Sequence, residues 1–183
     1  MARRFSLLPQ GLQDHCLRVS QLCETLALRY GAAPDKARFS GLMHDLARAL
    51  SPEELLALAK GYGIPVGEME QSAPLLLHGP VGAELLRREG GVSDEEVLEA
   101  VRCHTTGKAG MSLRDKVLFL GDKIEPDKAR YYGGLEEVCS WAERDLDRAL
   151  RAFFHWQIGY LKGKGLPVHP ALLEAQQALA DTV

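Results

Sequence analysis

Four histidines and two aspartates follow one another along the chain in the order His15, His44-Asp45, His78, His104, Asp122. Imidazole and carboxylate together are the ligand set of first-row transition metals. The doublet is the sharpest member. It interrupts an apolar helical pattern, Gly41-Leu42-Met43-His44-Asp45-Leu46-Ala47, where a carboxylate needs a counter-charge to be buried. Neighbouring side chains on a helix do not face each other, but a long imidazole and a short carboxylate can reach one cation lying between them. A carboxylate also has two oxygens and can bridge two cations about 3.5–4 Å apart. We therefore expect His15, His44, Asp45 and Asp122 to form one site, and His78 and His104 to form a second that shares Asp45. Such mixed ligation suits Fe, Mn, Co, Ni or Zn and disfavours Ca or Mg. Any one of these histidines alone reads more readily as packing or capping; the expectation rests on the set.

The neighbours of these residues suit an anion. Arg18 and Arg48 stand three and four residues after His15 and His44, each on its ligand's helix face, although solvated surface arginines read equally well. Gly79, in His78-Gly79-Pro80, opens a helix whose free N–H groups favour negative charge. Thr105, Thr106, Gly107 and Lys108 follow His104 in a polar loop, and Lys123 and Lys128 flank Asp122, with Arg130 beyond. We assign Asp45 and Arg48 to catalysis. Arg18, Arg48, Gly79, Thr105, Thr106, Gly107, Lys108, Lys123 and Lys128 are assigned to substrate binding. His155, within Phe153-Phe154-His155-Trp156, reads as core packing or as the face of a homodimer. His169 precedes Pro170 and reads as a helix cap.

The elements that must carry these residues are helices. Leu12, Cys16, Val19, Cys23 and Leu26 recur at spacings of three and four, ending at Gly31, and Pro34 opens a second helix that runs through Ala47. Ser51-Pro52-Glu53-Glu54 starts a third, to about Lys60. Gly61 to Ser72 reads as loop. Further helices are expected from Pro80 to Glu89, from Ser93 to Cys103 and from Met111 to Gly121, then a turn-rich connection from Glu125 to Gly134. One long helix over Leu135 to Leu161 and a last one from Pro170 complete an all-α, compact helical bundle. No segment alternates as a strand would.

At 183 residues, 46% hydrophobic and 26% charged, the chain suits one core. We expect a single domain over 1–183, with the metal-site core at about 10–130 and packing helices at about 135–181. Lys plus Arg number 22 against 25 Asp plus Glu, a net charge of −3, so no basic field points to nucleic acid. No apolar run reaches the length of a membrane span, and the apolar stretch after Arg3-Arg4 is shorter than a signal peptide is expected to need. The four cysteines form no C-x-x-C pair, and Cys16 and Cys23 share a core face. A cytoplasmic protein fits these features.

The motifs resemble the HD-domain superfamily of metal-dependent phosphohydrolases, and within it the bacterial YqeK family. The resemblance is carried by His15 with Arg18-Val19, by Gly41 to Arg48, by Leu76-Leu77-His78-Gly79-Pro80-Val81-Gly82-Ala83, by His104-Thr105-Thr106-Gly107 and by Asp122-Lys123-Ile124-Glu125-Pro126. It spans residues 10 to 130. It implies symmetrical cleavage of diadenosine tetraphosphate into two ADP at a di-iron centre with nucleotide bound beside it. The chain departs from the family pattern at Lys128, where an Arg is usual, and so loses a bidentate fork. On this reading the metals activate a bound water as hydroxide, which attacks a phosphoanhydride in line. The alternatives are an HD phosphohydrolase acting on another nucleotide (a nucleotidase or a cyclic dinucleotide phosphodiesterase), or a non-catalytic metal- and nucleotide-binding sensor. A di-iron redox protein would need Glu-x-x-His repeats, which the chain lacks.

Overall fold

The computed structural model describes residues 2–132 and 134–180. Residues 1 and 181–183, the outer limits of the expected domain, lie outside the described residues. Among the described residues twelve helices follow in order: α1 (Ala2–Ser6), α2 (Gln10–Tyr30), α3 (Pro34–Met43), α4 (Pro52–Tyr62), α5 (Glu68–Ser72), α6 (His78–Arg88), α7 (Glu95–Cys103), α8 (Leu113–Lys123), α9 (Pro126–Tyr132), α10 (Glu136–Ala142), α11 (Leu146–Gly163) and α12 (Pro170–Ala180). A 3-10 turn, Pro74–Leu77, leads into α6. No strand occurs among the described residues, and no helix among them is long and apolar enough to cross a membrane.

Local chemistry sets the ends. Gly31 stops α2 in a left-handed conformation (φ 75°) that a side chain would strain. Ser51 and Glu54 cap α4 reciprocally, Asp94 caps α7, and Ser112 with Asp115 caps α8. One contiguous apolar core runs from Val19 on α2 to Leu179 on α12. Cys23 belongs to it, and Cys16 and Cys23 are both fully buried free thiols.

α3, which leads into the doublet, and α8, which bears Asp122, are drawn onto α2 by missing side chains. A Cβ on Gly41 of α3 would lie 2.7 Å from the Ser20 Cα, and one on Gly121 of α8 would lie 2.6 Å from the Cys23 Sγ. Neither approach is open to a larger residue. α11 then packs on α8, and α12 on α11.

Four expectations are corrected. The doublet is not inside a helix. α3 ends at Met43, and residues 44–49 form tight turns in which the Leu46 N–H donates to the Met43 carbonyl and the Arg48 N–H to the Asp45 carbonyl. The segment 61–72 is not all loop, since Glu70 accepts from the Gly67 N–H and starts α5. Residues 125–134 hold α9, begun by Pro126. The long helix over 135–161 is broken at 143–145, where Asp145 leaves helical geometry (φ −156°) and its side chain caps α11.

Gly41→Ala is expected to lower stability by about 1–3 kcal/mol, because the new methyl meets backbone that cannot move aside. Gly159, mid-helix in α11, has nothing within 4 Å of its added Cβ, so Gly159→Ala is expected to raise stability by roughly 0.5–1 kcal/mol. Denaturant unfolding of both variants checks the contrast.

Candidate functional site

His15 comes from α2, His44 and Asp45 from the turns after α3, and His78 from the start of α6. His104 follows α7, and Asp122 sits near the end of α8. The structure brings all of them together. Asp45 lies at the centre with its two oxygens divided. Its Oδ1 is 3.1 Å from His78 Nε2 and 3.5 Å from His104 Nε2. Its Oδ2 is 3.5 Å from His44 Nε2 and 3.8 Å from His15 Nε2. Asp122 Oδ1 faces the second group only, 3.1 Å from His15 Nε2 and 3.5 Å from His44 Nε2.

The ring orientations are fixed from outside the site. Nδ1 of His44, His78 and His104 lies 2.8, 2.5 and 2.7 Å from the carbonyls of Gly41, Leu75 and Val101. A carbonyl can only accept, so each Nδ1 carries the proton and each Nε2 turns a lone pair inward. His78 and His104 thus bring two Nε2 atoms to 3.0 Å from one another. His44 Nε2 is buried and has no hydrogen-bond partner. Buried lone pairs left facing each other and facing carboxylates are unfavourable unless a cation lies among them. The donor set therefore fits divalent transition metals. Two overlapping groups have ligand atoms close enough to hold an ion, His15, His44 and Asp122, and His44, Asp45 and His104, and they share the one free ring nitrogen of His44.

The electrostatics agree. Burial pushes the Asp45 carboxyl up, but the charge of His44 and the close approach of the His104, His44 and His78 imidazoles hold it well below the usual carboxylate range. Burial likewise opposes ionisation of Asp122, and Lys123 and Lys128 outweigh it. Burial would lower His44, yet Asp45 and Asp122 raise it to about 9, so a proton competes with a metal for its Nε2, while burial drives His104 down to about 3. The pocket thus holds two ionised carboxylates in near-complete burial, a setting that attracts positive charge.

A cavity of about 460 Å³ opens over this centre. Arg48, Thr105, Thr106, Lys123 and Lys128 line it beside Asp45, His78 and Asp122. Arg48 Nε lies 3.9 Å from Asp45 Oδ2, and Thr105 Oγ1 lies 3.3 Å from His78 Nε2. Lys123 and Lys128 both reach Asp122. Lys128 thus reaches the centre, whereas the Arg130 side chain is 83% exposed and lies 3.9 Å from Asp127.

Four residues assigned to substrate do not line this cavity. Lys108 is held by Glu99 at 3.0 Å and by the buried Asp115 at 3.4 Å. Arg18 is held by Glu125 and Asp127. Gly79 is a packing glycine: its Cβ would lie 2.9 Å from the Arg102 carbonyl and 3.3 Å from His104 Nδ1. Gly107 has φ +70° and turns the chain against Ala175 and Phe154.

Sequence reasoning also missed two things. Glu125, 1% exposed, is pinned by Arg18 and by the N–H groups of Asp127 and Lys128. It lies 3.5 Å from His15 Nδ1, so it sets that ring's orientation from behind. Its signal in the sequence was its place in the Asp122-Lys123-Ile124-Glu125-Pro126 motif, where Glu125 itself was assigned no role. The other omission is the far wall of the cavity, where Met69, Leu75, Phe153, Trp156, Leu161 and Leu172 stand. The aromatic stretch around His155 was read as packing or partner surface; Phe153 and Trp156 line the cavity, while His155 is exposed. His169 caps α12 as expected, accepting from the Ala171 N–H.

A helical fold with histidines and aspartates so gathered defines a class. The sequence profile described as "HD domain" matches residues 12–127, and the chain belongs to the HD-domain family of hydrolases. Within it, the chain is 38% identical to the protein of Bacillus subtilis (strain 168) named "Bis(5'-nucleosyl)-tetraphosphatase, symmetrical", over 85% of this chain and 82% of that one. It is 35% identical to the protein of the same name in Halalkalibacterium halodurans, over 91% and 87%. A crystal structure from Clostridium acetobutylicum, of a "predicted HD superfamily hydrolase involved in NAD metabolism", superposes with a TM-score of 0.91 at 34% identity. It covers 96% of this chain and 92% of that one.

The two lysines that were expected to act alike should now behave differently. Lys128→Met is expected to raise KM for a phosphorylated substrate about tenfold or more, the loss of one charge-assisted contact. Lys108→Met should leave KM unchanged and lower stability by roughly 1–3 kcal/mol, by removing the cation beside buried Asp115, which keeps only its cap bond to the Ser112 N–H. Steady-state kinetics and thermal melts on the two variants separate them.

Proposed function

We propose that the protein hydrolyses dinucleoside tetraphosphates symmetrically, diadenosine tetraphosphate first among them, giving two ADP at a dinuclear metal centre. The observation that carries this reading is Asp45, whose two oxygens each face a different pair of imidazoles. His15, His44, Asp45 and Asp122 would hold one ion, and His78, His104 and Asp45 the other. Iron is the first candidate, with Mn, Co, Ni and Zn behind it, since the donors are mixed imidazole and carboxylate. Two such ions supply Lewis acidity toward water and toward a phosphoryl oxygen. The names of the relatives from Bacillus subtilis and Halalkalibacterium halodurans support the same substrate class.

The chain's own residues do the rest. Lys123 and Lys128 stand beside Asp122 at the cavity floor, where their ammonium groups offset phosphate charge. Arg48 adds a fork near Asp45 that can take two phosphoryl oxygens at once. The Thr105 hydroxyl, close to both His78 and His104 Nε2, donates to the phosphoryl group under attack. A nucleoside diphosphate leaves as a stabilised anion, so these cations serve it better than a proton donor would. The apolar wall keeps water from the base end and strengthens the charge interactions at the floor. We further read the protein as a single-domain cytoplasmic enzyme.

With Mn- or Fe-loaded protein and diadenosine tetraphosphate, ADP is the expected sole product, and a chelator abolishes turnover. Equal amounts of ATP and AMP would contradict the symmetrical reading. Arg48→Ala is expected to lower kcat on the order of 10²-fold, as for loss of one donor to the charge that develops in the transition state. Chromatography of the reaction mixture reads both.

A further inference from the structure

The cavity has two unlike ends. Near Asp122 it is cationic, while the face of α11 presents Phe153, Trp156, Gln157 and Leu161. Those positions fall at i, i+3, i+4 and i+8 and so lie on one side of the helix. Phe153 stands over the floor, its ring 5.4 Å from that of Phe119, over which Lys123 Nζ sits at 5.1 Å. Gln157 is one turn further along α11, about 6 Å beyond Phe153.

One amide in an otherwise apolar stripe is out of place, since a polar group in such a wall is unfavourable without a partner. Its neighbours do not supply one. The other polar side chain of the far wall, His169, has both ring nitrogens committed, Nε2 to Glu70 at 2.8 Å and Nδ1 to the Ala171 N–H. The half-buried Gln157 side chain makes no hydrogen bond to another described residue.

Resting on the function proposed above, we infer that Gln157 is the base-reading residue of the cavity. Its amide pairs with the hydrogen-bonding edge of a purine that lies against Phe153 and Trp156. An amide offers one donor group and one acceptor and so matches adenine, whose edge carries an N–H donor beside a ring-nitrogen acceptor. By rotating half a turn it also matches the O6 and N1–H of guanine. The site therefore accepts both purines, with no charge that would exclude either.

A carboxylate at this position removes that tolerance. It only accepts, so it pairs with the two adjacent N–H donors of guanine and repels the ring-nitrogen lone pair of adenine. The experiment measures ADP and GDP binding to Mn-loaded wild type, Gln157→Glu and Gln157→Leu by calorimetry, with turnover of the matching tetraphosphates alongside. Gln157→Glu is expected to shift the GDP-to-ADP affinity ratio toward GDP by on the order of tenfold or more. Gln157→Leu should weaken both ligands about equally, with its melting temperature reporting that it is folded. An unchanged ratio in Gln157→Glu together with unchanged affinities in Gln157→Leu overturns the assignment. If wild type binds both diphosphates but cleaves neither tetraphosphate, the proposed reaction fails while the ratio still decides the role of Gln157. Absence of binding to wild type overturns both.

Discussion

Two ionised carboxylates buried among imidazole lone pairs are the constraint on which the rest of this structure depends. Asp45 is 4% exposed and Asp122 2%, depths at which an uncompensated charge opposes folding by several kcal/mol. The protein answers with positive charge from two sides. Lys123 and Lys128 meet Asp122 from the cavity, and the imidazoles meet Asp45 from the core. The lysines leave Asp45 largely to the imidazoles, and three of these have Nδ1 tied to backbone carbonyls. A divalent cation between the carboxylates and the Nε2 atoms would remove the remaining imbalance.

The fold can be understood as the means of bringing these groups together. α2, α3 and α8 approach closely only because Gly41 and Gly121 lack side chains at the crossings. α6 and α7 meet at Gly79, which sets His78 beside His104. Release of the chain from α3 into tight turns after Met43 lets His44 and Asp45 face the same point, which adjacent positions on a regular helix could not do. The support extends outward through Glu125 behind His15, and through Arg18 behind Glu125. A residue two shells away thereby helps to aim a ring nitrogen at the centre.

Much of this was legible in the sequence, and the exceptions have physical reasons. Residue types named the six centre residues because few chemistries use histidine and aspartate in that company. Periodicity gave the helices, but it concealed the break at Asp145. The stripe through Val138, Ala142, Leu146, Ala149 and Phe153 faces the core on both sides of the break. Nearness along the chain was a poor guide for charged side chains. Lys108 follows His104 closely, yet Glu99 and buried Asp115 claim it, and Arg18 shares a helix face with His15 but turns to Glu125 and Asp127. Such partners lie far off in sequence, and no local pattern reveals them. The apolar wall was visible as hydrophobic residues; that one side of α11 faces a cavity is a property of packing alone.

The account stands on Asp45 joining two cations. Anomalous scattering from crystals of the metal-loaded protein tests this most directly. Two peaks roughly 3.5–4 Å apart are predicted, one on each oxygen of Asp45, with His78 and His104 on one side and His15, His44 and Asp122 on the other. A single peak, or peaks that leave Asp45 uncoordinated, would contradict it.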